Sequence, residues 1–311
     1  MTLAFISHPT CLLHEMGETH PEAPGRLTAI NKALTDTGII KSLTQFLAPT
    51  ATKEQLARVH SADYIEEIFR LAPQTGQVWL DPDTAMNPYT LAAALHAAGA
   101  VVYAVDLLMS KQATAAFCNV RPPGHHALHN QAMGFCFFNN IAVGVAHALA
   151  HYHLKRIAIV DFDMHNGNGT IDIFHDDPRV LFFSTYQYPF YPNVGTETSN
   201  DHIINIPLPF GAGGAEFRTA IQQQVLEPLA QFSPEIIFIS AGFDAHREDP
   251  LAGLNLTEED FAWITTEICT IANNCAAGRV ISTLEGGYNL NALGRSVAAH
   301  LKAMLDQQFP S

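Results

Sequence analysis

Seven short apolar runs recur along the chain, and each has the length of a β-strand. They span residues 3–7, 114–120, 156–163, 179–186, 202–209, 235–244 and 279–287. Several of them are continuously apolar, as IIFIS within 235–244 is, and do not alternate with polar positions. Because strands buried on both faces have this pattern, the runs predict a parallel sheet.

Longer segments with helical character lie between these runs. They cover residues 89–110, 139–153, 214–231, 257–276 and 290–307. Thr257 is expected to cap the fourth segment, with Glu258 and Glu259 in its first turn. Since strands alternate with helices and no linker divides the chain, the pattern predicts one α/β domain over residues 1–311, with a mainly parallel sheet flanked by helices on both faces.

Composition narrows the class of protein. Hydrophobic residues make up 48% of the 311 residues and charged residues 15%, which excludes a disordered chain. The formal net charge of -14 weighs against a nucleic-acid partner. No uninterrupted apolar stretch of about 18 residues is present, so we expect no membrane partner. The five cysteines are scattered without a CxxC pair, which favours a reducing, cytoplasmic location.

Ionisable side chains follow two of the predicted strands. In VDFDMHNGNGT, extended chain would place Asp161, Asp163 and His165 on one side. Asp and His suit a borderline divalent cation such as zinc, although an acidic strand end that caps the next helix would look similar. Asp244 follows another strand and is a candidate third ligand, or else an ordinary loop residue. Together the three ligands would leave open the position that a catalytic zinc requires.

Two further motifs carry reactive groups. RPPG forms a stiff turn that presents His125 and His126 together, and adjacent imidazoles could exchange protons with a metal-bound water and a leaving group. Tyr288 follows the Gly286-Gly287 pair at the end of another strand. A lone Tyr usually serves packing, but at this place its hydroxyl could stabilise charge on a substrate oxygen.

These motifs, in this order, resemble those of the histone deacetylase superfamily. RPPGHHA, GFCFFNN, VDFDMHNGNGT, AGFDAHREDPLAG and LEGGYNL carry the resemblance, and THPEAPGRL is similar to the family's N-terminal signature. The similarity runs from about residue 8 to 300 and is strongest to class II enzymes and their bacterial relatives. It implies a single deacetylase catalytic domain with the arginase/deacetylase fold, acting as an amidohydrolase on linear amide bonds.

The resemblance also implies roles for individual residues. It implies one zinc ion per chain, with three ligands: Asp163, His165 and Asp244. Five further side chains would carry the chemistry, namely the acid–base pair His125 and His126, their partners Asp161 and Asn168, and the oxyanion donor Tyr288. A structural potassium site would use carbonyls of Asp161, Asp163 and His165 together with Ser184.

Substrate contacts are implied in the same way. An acyl-lysine tunnel would be formed by the aromatic walls Phe135 and Tyr191, with Gly134 accepting the substrate amide, Asp83 at the rim and Leu251 at the gate. Arg26 would line an acetate exit. Because Leu251 is apolar, it favours acyl-lysine in peptides or proteins, whereas an acid at this position would suit acetylpolyamines; small acetylated amines remain the alternative.

Arginase-like ureohydrolases are the rival class, because their related fold binds two manganese ions. Those enzymes bind their two ions through additional carboxylates. In this chain the residue two positions after Asp244 is His246 and not a second Asp, so we predict one metal ion. Asn166 and Tyr186 depart from the family pattern, since each stands where histidine is common. The sequence marks no assembly interface.

Overall fold

Eight parallel strands form the central sheet of the computed structural model, which describes residues 2–251 and 253–308. The ten strands are β1 Leu3–Ser7, β2 Leu43–Leu47, β3 Val78–Trp79, β4 Ala85–Met86, β5 Ala115–Cys118, β6 Ile157–Asp161, β7 Val180–Gln187, β8 Ile203–Leu208, β9 Ile236–Ala241 and β10 Val280–Leu284. The sheet order is β2-β1-β5-β10-β9-β6-β7-β8, while β3 and β4 form a separate antiparallel hairpin.

Ten α-helices accompany the strands in the described residues. They are α1 Gly25–Asp36, α2 Lys53–Leu56, α3 Ala62–Leu71, α4 Thr90–Met109, α5 Asn140–His151, α6 Asn168–Phe174, α7 Gly214–Gln224, α8 Leu226–Phe232, α9 Glu258–Cys275 and α10 Leu290–Gln308. Helices α1 and α9 both pack on α10, and α4 packs on α5. The predicted class, a single α/β domain whose parallel sheet is flanked by helices, is confirmed.

The seven predicted strands and five helical segments all correspond to observed elements, with two kinds of error. Residues 25–71 carry β2 and α1 to α3, and residues 78–86 carry the hairpin, none of which was predicted. The segment predicted as one helix over 214–231 is broken at Val225. Pro228 explains the break, because proline lacks an N–H and its ring clashes with the carbonyl four residues earlier.

The continuously apolar strands are buried on both faces, as their pattern predicted. Every residue of β6, β7, β9 and β10 is buried. Proline is tolerated in β8, at Pro207, because β8 lies at the edge of the sheet. All five cysteines are unpaired, in agreement with the absence of a disulfide pattern.

Helix α4 bears on the expectation that the chain has no membrane partner, which remains a prediction. It is the one described helix long and apolar enough to cross a membrane, with a mean hydropathy of 1.8, although His96 and Asp106 interrupt its run of apolar side chains. Of its apolar window, 67% is buried within the protein, as in the core helix of a soluble domain. Its length and composition alone are therefore weak grounds for a membrane span.

The sheet order gathers the ionisable residues at one edge. Strands β5, β10, β9 and β6 are consecutive neighbours, and all run in the same direction. Their carboxyl ends therefore lie side by side, and each is followed by one of the motifs found in the sequence. Four segments that are distant in sequence are brought together by this arrangement.

A buried carboxylate, that of Glu22, connects three of the loops at this edge. It accepts hydrogen bonds from Arg121 Nη2 at 2.7 Å and from Arg26 Nη1 at 3.0 Å. Arg121 also donates to the carbonyl of Cys11 at 2.8 Å, and Arg26 Nε donates to the carbonyl of Gly287 at 2.7 Å. Burial alone would raise the pKa of Glu22, but Arg121 and the other partners hold it well below its usual value.

We expect Glu22→Gln to lower the free energy of unfolding by about 3–5 kcal/mol, because it leaves two buried guanidinium groups without their counter-charge. Denaturant unfolding measures the change. The control is Glu66→Gln, which removes an exposed ion pair with Lys53 and should cost at most about 1 kcal/mol. Equal losses for the two variants would contradict the role given to Glu22.

Candidate active site

Asp163, His165 and Asp244 form a compact, buried group of possible metal ligands. One ligand atom from each lies within 4.8 Å of the other two. His165 Nδ1 is 2.9 Å from Asp163 Oδ1 and 3.2 Å from Asp244 Oδ2. Burial lowers the pKa of His165, but these two carboxylates outweigh burial and raise it to about 10. The group therefore presents strong negative charge to any cation beside the ring.

The surroundings of this group fit a metal ion. Asp244 Oδ2 is buried, and apart from its ion-pair distance to His165 it accepts no hydrogen bond from the described part of the chain, so it retains ligand capacity. A Cβ atom at Gly242 would overlap the Asp163 carboxylate, and one at Gly286 would overlap that of Asp244. Glycine at both positions thus leaves room for two carboxylates to approach each other. Two oxygens and an imidazole nitrogen are a ligand set that zinc accepts.

The chain reaches this geometry by turning, and not by extending as expected. Strand β6 ends at Asp161, whose Oδ1 accepts the backbone N–H of Asp163 at 3.1 Å. Asp163 Oδ1 in turn accepts the N–H of His165 at 2.8 Å. The expected strand alternation over residues 161–165 is therefore wrong, because these side-chain to backbone bonds bend the chain. Asp161 is directed to a different partner, His125.

His125 and His126 lie side by side, with ring centroids 4.1 Å apart. His125 Nδ1 is 2.9 Å from Asp161 Oδ2, and His126 Nδ1 is 2.7 Å from the amide oxygen of Asn168. Since a carboxylate or amide oxygen only accepts, both Nδ1 atoms carry the proton that they donate. The structure thus pairs each histidine with the partner that the resemblance implied.

The environments of His125 and His126 shift the pKa values of the two rings in opposite directions. Burial, with smaller effects of His125 and His165, lowers the pKa of His126 well below its usual value. Burial also opposes the charged form of His125, but Asp161 and Asp163 outweigh it and raise the pKa to about 10. His126 is therefore neutral and suited to accept a proton, whereas His125 is protonated and suited to donate one.

The backbone that presents this pair is held by Glu285, at the end of β10. Glu285 Oε2 accepts the N–H of Gly124 at 2.7 Å and that of His125 at 3.2 Å. Its other oxygen accepts the hydroxyl of Ser240 at 3.2 Å. Burial raises the pKa of Glu285 to about 7. No role for Glu285 was predicted, although it precedes the glycine pair that was singled out.

Tyr288 lines the same cavity as the two histidines. Its ring meets Phe135 edge-on with centroids 5.9 Å apart, and the guanidinium of Arg26 lies 5.1 Å from its centroid. Burial raises the pKa of Tyr288 well above its usual value, and Asp244 adds to the effect. The phenol therefore keeps its proton and can donate a hydrogen bond.

A cavity of about 250 Å³ joins these groups. Its walls include all five predicted substrate-binding residues, namely Asp83, Gly134, Phe135, Tyr191 and Leu251. The catalytic candidates His125, His126 and Tyr288 and the ligand His165 also face it. Pro123 and Phe190 complete the apolar wall and were missed, because proline and phenylalanine in a loop carry no chemical signal of their own.

The wall at Gly134 and Phe135 has an unusual backbone. Both residues adopt positive φ, +56° and +69°. A Cβ at Gly134 would overlap the ring of His126, so only glycine allows this close approach. For Phe135 the left-handed conformation is strained, and such strain is concentrated at functional sites. Its N–H donates to Thr84 Oγ1 at 3.1 Å, which fixes the wall to the β3–β4 hairpin.

His20 links the rim to this wall and was not assigned a role. Its ring meets Phe135 edge-on with centroids 4.7 Å apart, and its Nε2 lies 3.2 Å from the carbonyl oxygen of Asp83. Burial raises the pKa of Asp83, and neighbouring Asp81 adds to the effect. His20 belongs to the quoted motif THPEAPGRL, which was the available signal.

The remaining candidates lie outside the cavity wall. Every side-chain nitrogen of Arg26 donates within the protein: to Glu22, to the carbonyl of Gly287 and to the carbonyl of Glu285. Ser184 lies opposite Asp161 in the pairing of β6 with β7. His246, the position that distinguishes this chain from a two-metal enzyme, is buried and accepts the N–H of Glu248 at 3.1 Å.

We expect Asp244→Ala to weaken divalent-metal binding by more than the roughly 10–100-fold that loss of an outer partner costs, because a direct ligand is removed. Competition with a chelating dye measures zinc affinity. Asp201→Ala, which removes an exposed carboxylate, is the matched control. Unchanged affinity in Asp244→Ala would place the metal elsewhere.

Comparisons with known proteins agree with this geometry. The family model described as "Histone deacetylase domain" matches residues 20–304. "Histone deacetylase 14, chloroplastic" of Arabidopsis thaliana is 36% identical over 93% of this chain and 74% of its own length. "Polyamine deacetylase HDAC10" of Mus musculus is 37% identical over 97% of this chain and 47% of its own length. The crystal structure of the HDA15 HD domain superposes with a TM-score of 0.91 at 34% identity, covering 98% of this chain and 88% of that one.

Proposed function

The chain belongs to the histone deacetylase family, and we propose that it is a zinc-dependent amidohydrolase that removes acetyl or other acyl groups from lysine ε-amines in peptides or proteins. One observation carries the proposal. Asp163, His165 and Asp244 place three ligand atoms within 4.8 Å of one another, and His165 faces the cavity that also holds the histidine pair and Tyr288.

One zinc ion per chain would be held by Asp163, His165 and Asp244. When bound, zinc would supply Lewis acidity that polarises the acyl carbonyl and acidifies a bound water. Within the described residues this is the one group of three or more possible ligands with suitable spacing, which supports a single metal over the two-manganese alternative. The potassium site at Asp161, Asp163, His165 and Ser184 remains a prediction.

His126 is proposed as the general base. Its Nδ1–H is committed to Asn168, so the neutral ring carries its lone pair on Nε2, from which it can take a proton. His125 donates from Nδ1 to the Asp161 carboxylate, which stabilises the charged ring. His125 would therefore hold a proton during hydrolysis, and either ring could return one to the leaving amine.

Tyr288 is proposed as the donor to the scissile carbonyl oxygen. It keeps its phenolic proton, and it lines the same cavity as the acid–base pair, beside Phe135. A fixed donor is most effective where negative charge develops in a poorly hydrated pocket. Arg26, whose guanidinium lies 5.1 Å from the centroid of the Tyr288 ring, is proposed to line an acetate exit.

Acyl-lysine is favoured as substrate by the walls of the cavity. Phe135, Tyr191 and Leu251 form an apolar channel suited to a four-carbon side chain, with Gly134 able to accept the substrate amide. Asp83 at the rim can accept N–H groups of a peptide backbone. An apolar gate gives no counter-charge to the second ammonium of a polyamine. Small acetylated amines are the second candidate, because the mouse relative is named a polyamine deacetylase.

A cytoplasmic location remains a prediction, as does the absence of nucleic-acid and membrane partners. Two of the plant relatives are named chloroplastic.

We expect Tyr288→Phe to retain zinc and lose roughly two to three powers of ten in kcat, because one oxyanion donor is removed. Hydrolysis of an acetyl-lysine peptide by the zinc-loaded protein measures the loss. Tyr89→Phe, at an exposed tyrosine, is the control and should match the parent. A parental rate in Tyr288→Phe would remove Tyr288 from the mechanism.

Substrate class is tested with an acetyl-lysine peptide and acetylated putrescine at equal concentration. The parent should have the higher kcat/KM for the peptide, and Leu251→Glu should shift the preference towards the diamine, because the new carboxylate can pair with its ammonium. Faster turnover of acetylated putrescine by the parent would favour the small-amine alternative.

A further inference from the structure

Asp249 lies in the loop between β9 and α9 and does not itself line the cavity, but it binds the backbone of two residues that do. It is 7% exposed. Its Oδ2 accepts the backbone N–H of Tyr288 at 2.6 Å and that of Asn289 at 3.1 Å. Its Oδ1 accepts the N–H of Leu251 at 3.0 Å. One carboxylate thus binds the backbone of the proposed oxyanion donor and the backbone of the gate.

The segment that carries Tyr288 has two anchors, on opposite sides. Arg26 binds the carbonyls of Glu285 and Gly287, which precede Tyr288. Asp249 binds the N–H groups of Tyr288 and Asn289, at and after the tyrosine. The carbonyl of Gly287 and the N–H of Tyr288 belong to one peptide group, so the two anchors bind that group at both edges. Gly287 itself adopts φ +123°, a conformation that favours glycine. Without Asp249, the N–H groups of Tyr288 and Asn289 would lose this acceptor, and of the Gly287–Tyr288 peptide group the carbonyl alone would stay bound in this set, to Arg26.

We propose that Asp249 is a positioning residue, which places the Tyr288 hydroxyl for catalysis and holds Leu251 at the gate by binding both backbones with one carboxylate. The inference rests on the proposed function, since it assumes that Tyr288 donates to the substrate oxygen. Displacement of a catalytic group by about 1 Å can cost about 100-fold in rate, so the anchor has kinetic consequences.

The chemistry of the contact requires a carboxylate. Three N–H groups converge on the side chain from two directions, and an ionised carboxylate accepts at both oxygens. Asn has nearly the same shape but only one accepting oxygen, so its amide group would face an N–H donor on one side. Asp249→Asn therefore loses the contact on one side and, by removing the negative charge, weakens the contact on the other, with little change in volume.

A double-mutant cycle with Tyr288→Phe tests the role. We expect Asp249→Asn to lower kcat for an acetyl-lysine peptide by about 10–100-fold while zinc content stays at the parental value. In the Tyr288→Phe background the same change should cost less than about threefold, because there is no hydroxyl left to place. KM should rise in both backgrounds, since the Leu251 gate is released in each.

Glu248→Gln is the matched control, because Glu248 is the adjacent acid and its side chain pairs with the exposed Arg295 at 2.9 Å. It should leave kcat and KM at parental values. Should Asp249→Asn fail to fold, Asp249→Ser, which keeps one acceptor, goes through the same cycle.

Equal losses of kcat from Asp249→Asn in the two backgrounds would overturn the positioning role, and so would loss of zinc from the variant. Both outcomes are distinct from failure of the proposed function. That failure would appear as parental activity in Tyr288→Phe itself, or as absence of acyl-lysine hydrolysis by the zinc-loaded parent.

Discussion

Three buried carboxylates at the carboxyl edge of one sheet are the constraint on which this structure depends. Asp161, Asp163 and Asp244 are at most 1% exposed, and they leave two neighbouring strands, β6 and β9. Such concentrated negative charge is unfavourable in a protein interior unless positive groups compensate it. His125 compensates Asp161, and His165 lies between the other two. We expect this arrangement to attract a cation, and it accounts for glycine at positions 242 and 286, where a Cβ atom would overlap the carboxylates.

Buried acids also fix the loops that carry the reactive side chains. Glu22 joins the N-terminal loop to the RPPG turn, Glu285 holds the backbone of the histidine pair, and Asp249 holds that of Tyr288. Each of these carboxylates binds groups from segments that are distant in sequence. Loops held in this way can keep donors and acceptors at fixed positions without belonging to a helix or strand. Such an arrangement suits a catalytic site, because the loops carry the reactive side chains and the buried carboxylates hold the loops in place.

Much of the site could be predicted from the sequence because its reactive residues directly follow the apolar runs that form strands. Asp163, His165 and Asp244 each follow a recognisable apolar run, and HisHis and GlyGlyTyr are conspicuous after such runs. The anchoring acids could not be found in the same way. Asp249 and Glu285 act on backbone N–H groups of other segments, and no local pattern reveals which distant N–H will lie nearby.

The central claim is that one metal ion binds between Asp163, His165 and Asp244. A crystal of the zinc-loaded protein, measured on both sides of the zinc absorption edge, tests it most directly. The account predicts a single strong anomalous peak, at about 2.0–2.2 Å from one oxygen of each carboxylate and from His165 Nδ1. A peak held by other residues, or none at these three with zinc in excess, would contradict it.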